Sequence, residues 1–529
     1  MCDLLILNGS LLDGTGAPPL RADLAITGNR IHAIGHLAGH SARRRLDAAG
    51  AIVCPGFIDA HSHSDAFILV DPRAVSKISQ GITTEICGNC GSSAAPRTSK
   101  NRLPADWESH SFPGEWKSVA EYRRLLEHVQ PAVNILLLAG HNTLRAGFIG
   151  YENRSASPDE LRTLEQHLDT ALAEGAGGFS TGLIYPPGLF APADEIQCLA
   201  AIAAHRGGVY TSHMRSEGAR LLESLTETLA VCRATGIPTQ ISHLKTSGRP
   251  NWPLIQPALD LIRTARREGL PVAADRYPYT ASCTDLDVIF PAWAEEGGRA
   301  AILERIRNPV IREKIRIELL SARTEDAWGA ITLGSITHPD LQQFRGQPLP
   351  AVAEALKMAP VDAVLSILDR DELRTSAFFH GMCENNLTTI LAEPYVMIGS
   401  DASLRAPDGP LSHDYPHPRA YGSFPRFLRM VLDGRSVPLP DAIRKMTALP
   451  ADHFGLADRG RLAPGLAADV VILDPLTVRD NATFAEPQAL SQGIRSVIVN
   501  GTLTWHDNRM TGDRAGHFVT PDRSSASKG

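Results

Sequence analysis

The chain has 529 residues, and 52 Lys and Arg against 58 Asp and Glu leave a net charge of −6. That balance excludes a chain that is basic overall. With 43% hydrophobic and 21% charged residues, the composition also lies far from the low-hydrophobicity, high-charge range in which chains stay disordered.

A sizeable core is expected, and one α/β barrel of about 250 residues or more with small attachments accommodates the length. The opening residues, MCDLLILNG, carry no basic leader, and their apolar run stops at Asn8 and Gly9, so no export signal is expected. Nowhere does the chain hold the ~18 consecutive apolar residues of a membrane-spanning helix. A cytoplasmic protein is expected, with a small-molecule partner and neither nucleic acid nor membrane. The 8 cysteines are thinly spread, so a disulfide framework is not expected and a special cysteine would be catalytic or metal-binding.

From Leu4 to Leu46, short apolar runs cut by Gly, Asn and Asp predict β-hairpins. After Pro464 the same texture returns in GLAADVVILDP and GIRSVIVNGTLTWHDN, with Asn-Gly and Asp-Asn turns. Residues 1–55 and 461–515 are therefore expected to pair into one small β domain. Over 56–460 apolar strands alternate with helices: NILLLAG, then SPDELRTLEQHLDTALAEGA with Ser157 as N-cap and Pro158 at the first helical position, then GGFSTGL. Such alternation predicts a parallel sheet. Residues 285–349 break the rhythm with the charge-rich stretch AAILERIRNPVIREKIRIELLSA, read as an inserted small helical subdomain. Residues 516–529, ending TPDRSSASKG, are expected to form a flexible tail.

The segment AIVCPGFIDAHSHSD leads an apolar run into two histidines one residue apart. Strand side chains alternate with period two, so His61 and His63 point the same way, as two imidazoles presented to one metal ion would. A solvated pair at a strand end shares that pattern, but other apolar runs also end in residues able to ligate metal or move a proton. GGVYTSH ends at His213, PTQISH at His243 and PYVMIGSD at Asp401, while GITTEICGNCG carries Cys90 just past its run. In a parallel barrel such positions converge on the C-terminal face. Cys87 forms a CxxC with Cys90, but a zinc ribbon needs a second CxxC, and Cys87 is read as a packed strand residue.

FIDAHSHSD, GNCG, TSHMRSE, ISHLK, VMIGSD and PHPRAYGSFPR together resemble the D-aminoacylase (N-acyl-D-amino-acid deacylase) branch of the amidohydrolase superfamily, and the resemblance covers nearly the whole chain. It implies an α/β fold: a distorted (β/α)8 TIM barrel, a small β-sandwich from both chain ends and an insertion. It also implies a tightly held zinc bound by Cys90, His213 and His243. His61 and His63 would line the same centre and form a second, weaker metal position sharing Cys90. Thiolate and imidazole both suit Zn²⁺.

Asp401 is implied as general acid/base, taking a proton from water and delivering it to the departing nitrogen. Lys245, Tyr277, Ser282 and Arg419 match positions that hold the substrate's α-carboxylate, which Arg grips bidentately and Lys as a point charge. Arg215 and Glu217 are expected to orient neighbouring ligands, and His141, His413 and His417 to lie on solvated loops. The stretch SDASLRAPDGPLSHDYPHPR departs from the branch, which more often has Gly after the aspartate and a shorter loop, and this bears on substrate range. The implied reaction is hydrolysis of an N-acyl-D-amino acid. Its rivals are a dipeptidase acting on peptides with a C-terminal D-residue, a cyclic-amide hydrolase of the hydantoinase or dihydroorotase kind, and a non-catalytic scaffold of the same fold.

Overall fold

The computed structural model describes residues 1–98, 107–108 and 110–523. Eight short strands form the centre: β1 Phe57–Asp59, β2 Ile82–Cys87, β3 Asn134–Leu137, β4 Gly178–Gly182, β5 Val209–His213, β6 Thr239–Ile241, β7 Val272–Arg276 and β8 Val396–Ile398. All neighbours are parallel. β1 pairs with β2 and β2 with β3, whose continuation at Ala139–Gly140 pairs with β4. From β4 to β8 each strand pairs with the next. The circuit closes between β8 and β1, where the Ala60 amide donates to the Ile398 carbonyl (3.2 Å), the Asp401 amide donates to the His61 carbonyl (2.8 Å), and Ser62 bridges Ala402.

The strands read as near-continuous apolar runs because both of their faces are covered. Ile58, Ile86, Leu136 and Met397 share one core cluster, whereas Phe57, Ile135, Leu137 and Ile398 belong to another that includes the surrounding helices. That is the period-two alternation of a barrel with a packed interior. The helix Pro158–Ala173 starts as its sequence predicts: the Ser157 hydroxyl accepts from the Glu160 amide (3.3 Å), and the Glu160 carboxylate accepts from the Ser157 amide (2.8 Å). No helix among the described residues is long and apolar enough to cross a membrane, and the eight cysteines are free thiols.

Strands from both chain ends join in one nine-stranded sheet. Cys2–Leu11 pairs with Leu20–Thr27, Ala42–Asp47 and Ile52–Pro55, and Ile52–Pro55 pairs antiparallel with Val470–Leu473. Leu24 and Ile26 share their core with Val470 and Ile498, so burial as well as hydrogen bonding unites the two ends.

Between β7 and β8 the chain builds an insertion. Its core extends from Leu286 to Ala377, and three antiparallel strands, Ser282–Asp285, Ile331–Leu333 and Ser376–Phe379, stitch its two ends together. The stretch expected at 285–349 is therefore too short, and the insertion is not purely helical. The helix Pro360–Arg370 resembles a barrel helix in sequence, yet Val361, Val364, Leu365 and Leu368 are buried in the insertion's own core.

The tail expected to be flexible from residue 516 is instead ordered through Arg523, and residues 524–529 lie outside the described residues. The Ile135 amide donates to the His517 carbonyl (3.0 Å) and the Val519 amide donates to the Ile135 carbonyl (2.9 Å), so the segment runs along β3. Phe518 and Val519 are buried; these two apolar anchors precede the polar residues that made the end look loose. Phe518→Ala is expected to cost about 3–5 kcal/mol by leaving a cavity beside β3, seen as a lowered thermal unfolding midpoint. An unchanged midpoint would show that the tail does not brace the barrel.

Candidate active site

Three of the predicted site residues stand just beyond barrel strands with backbones in the left-handed region: Cys90 (φ 51°), His243 (φ 37°) and Asp401 (φ 51°). Non-glycine residues rarely adopt this conformation, and it turns each side chain across the barrel mouth. Around Cys90 the flanking glycines are obligatory. A Cβ on Gly88 would fall 2.2 Å from the Leu138 carbonyl oxygen, and one on Gly91 would fall 2.1 Å from Asn142 Oδ1.

The donors converge. Cys90 Sγ lies 3.3 Å from His61 Nε2 and 3.5 Å from His243 Nε2. Asp401 Oδ1 lies 3.4 Å from His61 Nε2 and 3.1 Å from His63 Nε2. Candidate ligand atoms of His61, Cys90, His243 and Asp401 all fall within 4.8 Å of one another, and those of His213, Glu217 and His243 form a second such group. His243 belongs to both, with its Nε2 2.9 Å from His213 Nδ1.

Charge complements this geometry. Burial opposes ionisation of the Cys90 thiol, but His61 and His243 hold it well below its ordinary value, towards thiolate. Burial likewise opposes ionisation of Asp401, yet Arg419, with His243 and His61, holds that carboxyl well below the usual carboxylate range. Arg419 NH1 donates to Asp401 Oδ2 at 2.6 Å.

Groups that sequence reasoning missed fix these side chains. Asp275 Oδ2 lies 3.1 Å from His61 Nδ1, and Oδ1 accepts from the His243 amide at 3.0 Å. A carboxylate can only accept there, so His61 donates its Nδ1 hydrogen to Asp275 and turns Nε2 towards Cys90. Asp275 lies at the end of VAAD in β7, another apolar run ending in an acid, and the rule that found Asp401 finds it too. Behind the mouth, fully buried Lys77 donates to Asp59 Oδ2 (2.9 Å), Ser400 Oγ (2.8 Å) and the Ala402 carbonyl (2.8 Å), and lies 3.1 Å from Glu85 Oε2. Ser62 and Ser64 donate to the same Glu85 oxygen at 2.5 and 2.6 Å. Among the expected orienters, Glu217 Oε1 lies 2.7 Å from His243 Nδ1 and 2.5 Å from Lys245 Nζ. Arg215 instead pairs with Glu227 (3.0 Å) and serves the carbonyls of Leu189 and Ala191.

A cavity of about 1700 Å³ opens between the barrel mouth and the insertion. His63, Cys90, His213, His243 and Asp401 line it, as do Lys245, Ser282 and Arg419 of the expected carboxylate clamp. Tyr277 lies behind Arg419: it is 0% exposed, its hydroxyl has no hydrogen-bond partner among the described residues, and the Arg419 and Arg276 guanidinium carbons sit 4.6 and 4.1 Å from its ring centroid. The ring supports the guanidinium from below. Of the three loop histidines, only His413 is exposed. His141 is buried with Nε2 2.9 Å from Glu195, and buried His417 accepts from the Arg419 amide at 3.0 Å while its Nε2 meets the Ala281 carbonyl at 3.0 Å.

The donor set fits zinc. A thiolate, imidazoles and one carboxylate are the ligand types that a tetrahedral zinc site draws on, and His213 Nε2 is a buried ring nitrogen without a hydrogen-bond partner among the described residues.

Comparison with known proteins agrees with this geometry. Residues 44–504 match the model of the amidohydrolase family. Over 526 residues the chain is 39% identical to the N-acyl-D-glutamate deacylase of Alcaligenes xylosoxydans xylosoxydans, covering 99% of this chain and 98% of that one. Over 522 residues it is 37% identical to the D-aminoacylase of the same organism, covering 98% and 97%. Among solved structures it resembles the N-acyl-D-glutamate deacylase of Bordetella bronchiseptica, complexed with zinc and a phosphonate inhibitor that mimics the reaction's tetrahedral intermediate. The TM-score there is 0.84 at 36% identity, with 98% of this chain and 99% of that one covered.

Asp275→Asn keeps the shape of the side chain but weakens its hold on His61 and His243. Metal affinity is expected to fall about 10–100-fold, measured as zinc retained against a competing chelator. Retention equal to wild type would mean that Asp275 does not orient the centre.

Proposed function

The chain belongs to the amidohydrolase family, in its D-aminoacylase branch, and from that membership we propose that it hydrolyses the amide bond of N-acyl-D-amino acids, releasing a carboxylic acid and a free D-amino acid. One observation carries the reading: a thiolate, imidazoles and an aspartate meet at the mouth of the cavity, beside a guanidinium and an ammonium able to hold a carboxylate.

Cys90, His213 and His243 are assigned to the tightly held ion, and His61 and His63 to a second, weaker position beside Cys90. When bound, zinc supplies Lewis-acid polarisation of the amide carbonyl and acidifies the attacking water. The two oxygens of Asp401 have separate partners: Oδ2 is held by Arg419, and Oδ1 faces His61 and His63. Oδ1 takes the proton of the attacking water and returns it to the leaving nitrogen. The Arg419 pairing keeps this carboxylate ionised before attack, as a base must be.

Arg419 and Lys245 receive the substrate's α-carboxylate. Lys245 has three donors; Glu217, at 2.5 Å, engages one of them, and Lys245 lines the cavity. Arg419 NH2 donates to the Cys283 carbonyl (3.2 Å), which sets the plane of the guanidinium. Ser282 stands on the same wall. Handedness follows from where this clamp sits relative to the ligand cluster.

A panel of N-acetyl amino acids and dipeptides in both D and L forms, scored by amine release, tests the reading. Turnover confined to N-acyl-D-amino acids is expected, while preference for free dipeptides ending in a D-residue would move the assignment to a dipeptidase. Asp401→Asn is expected to lower kcat about 10²–10⁴-fold with zinc remaining near about one ion per chain. Loss of the zinc together with activity would make Asp401 a ligand instead of the proton carrier.

A further inference from the structure

On the insertion side of the cavity two carboxyl groups stand without an ion-pair partner among the described residues. Glu295, at the end of the short helix Ala292–Glu295, is 5% exposed, lines the cavity, and has no hydrogen-bond or ion-pair partner among the described residues. Half-buried Asp287 lines the same cavity. The insertion's guanidinium groups are engaged elsewhere: Arg305 donates to the Ala294 and Glu296 carbonyls, and Arg299 donates to the Glu372 carbonyl (2.8 Å) and pairs with the Glu372 and Glu108 carboxylates at 3.3 and 3.4 Å. Arg323, also on the cavity wall, lies over the Trp328 ring at 5.8 Å. Burial, reinforced by Asp287, pushes the Glu295 carboxyl up to about 9. Burial pushes Asp287 up to about 6, against its own backbone amide and the pull of Arg299. A buried carboxyl that faces a cavity without a counter-charge keeps its proton, and a bound cation would favour its ionised form.

We propose that Glu295 and Asp287 form a subsite for the ammonium or guanidinium group of a basic substrate side chain, so that the D-amino acid released is a basic one. This rests on the deacylase reading above and specifies which side chain that site selects. The spacing supports it. The Cys283 carbonyl holds Arg419, the residue assigned to the α-carboxylate. From Cys283 to Asp287 the chain follows the strand Ser282–Asp285 and then enters the 3-10 turn Leu286–Ile289. Two extended steps and two helical ones span at most about 11 Å. A long basic side chain, anchored by its carboxylate at Arg419, extends along this path towards Asp287 and Glu295. The free amino group of a dipeptide offers the same ammonium chemistry from the acyl side of the scissile bond, nearer the ligand cluster, and the test separates the two sources.

The experiment compares N-acetyl-D-lysine, N-acetyl-D-norleucine, N-acetyl-D-glutamate and glycyl-D-norleucine on the zinc-loaded enzyme and on Glu295→Gln and Asp287→Asn. In the wild type, kcat/KM for N-acetyl-D-lysine is expected to exceed that for N-acetyl-D-norleucine by about tenfold or more, as a desolvated charge pair supplies. In both variants that ratio is expected to collapse towards unity, and Asp287→Arg is expected to shift preference towards N-acetyl-D-glutamate. A lysine-to-norleucine ratio near unity in the wild type, or one that neither variant moves, overturns the subsite while leaving the deacylase reading intact. Preference for glycyl-D-norleucine over N-acetyl-D-norleucine that Glu295→Gln abolishes would place the cation on the acyl side and overturn the side-chain assignment. Failure to cleave any N-acyl-D-amino acid overturns the deacylase reading, and the subsite falls with it.

Discussion

A single buried ammonium holds the mouth of this barrel together. Lys77 sits where the first, second and last barrel strands meet, in contact with Asp59, Glu85, Ser400 and the Ala402 carbonyl. Burial works against its charge, but Asp59 and Glu85 hold its proton more tightly than usual. Removing one partner from such a pair costs about 3–5 kcal/mol, although the intact pair adds little net stability over an apolar substitute. Its contribution is therefore geometric. The HSHS segment and the segment bearing Asp401 come from opposite ends of the barrel sequence, and this network fixes the distance between them. The 3.1 Å contact between His63 and Asp401 depends on it.

The second constraint lies in the backbone. Three non-glycine residues of the ligand cluster adopt left-handed conformations, at about 1–3 kcal/mol each. Such strain persists only where the surroundings over-determine it. Gly88 and Gly91 pack the Cys90 turn against Leu138 and Asn142. Asp275 accepts from the His243 amide, and the Asp401 amide donates to His61. Each turn thus carries a side chain away from its strand and towards its neighbours across the mouth.

Much of this was legible in the residues themselves. The alternation of apolar runs with capped helices, as at Ser157 and Pro158, pointed to the parallel barrel, and runs ending in His213, His243 and Asp401 placed candidate ligands on one face. Less was legible where local pattern and tertiary packing part company. The helix Pro360–Arg370 looks like a barrel helix but buries its apolar face in the insertion, and Phe518 and Val519 are too few to register as a segment. The Lys77 network was invisible because lysine is ordinarily an exposed residue and its partners lie up to 325 positions away in sequence. Tyr277 shares a motif with the clamp, yet it acts on Arg419 from behind, an arrangement that only packing reveals.

The insertion enters between the last two barrel strands and supplies the far wall of the cavity, while the candidate ligands and Asp401 all stand at the ends of barrel strands or on the loops that follow them. The candidate ligands and the far wall thus belong to two parts of one polypeptide, each with its own apolar core. Mutations can resculpt the roof without disturbing the ion-binding floor, so a lineage built on this plan can change its diet while keeping its chemistry.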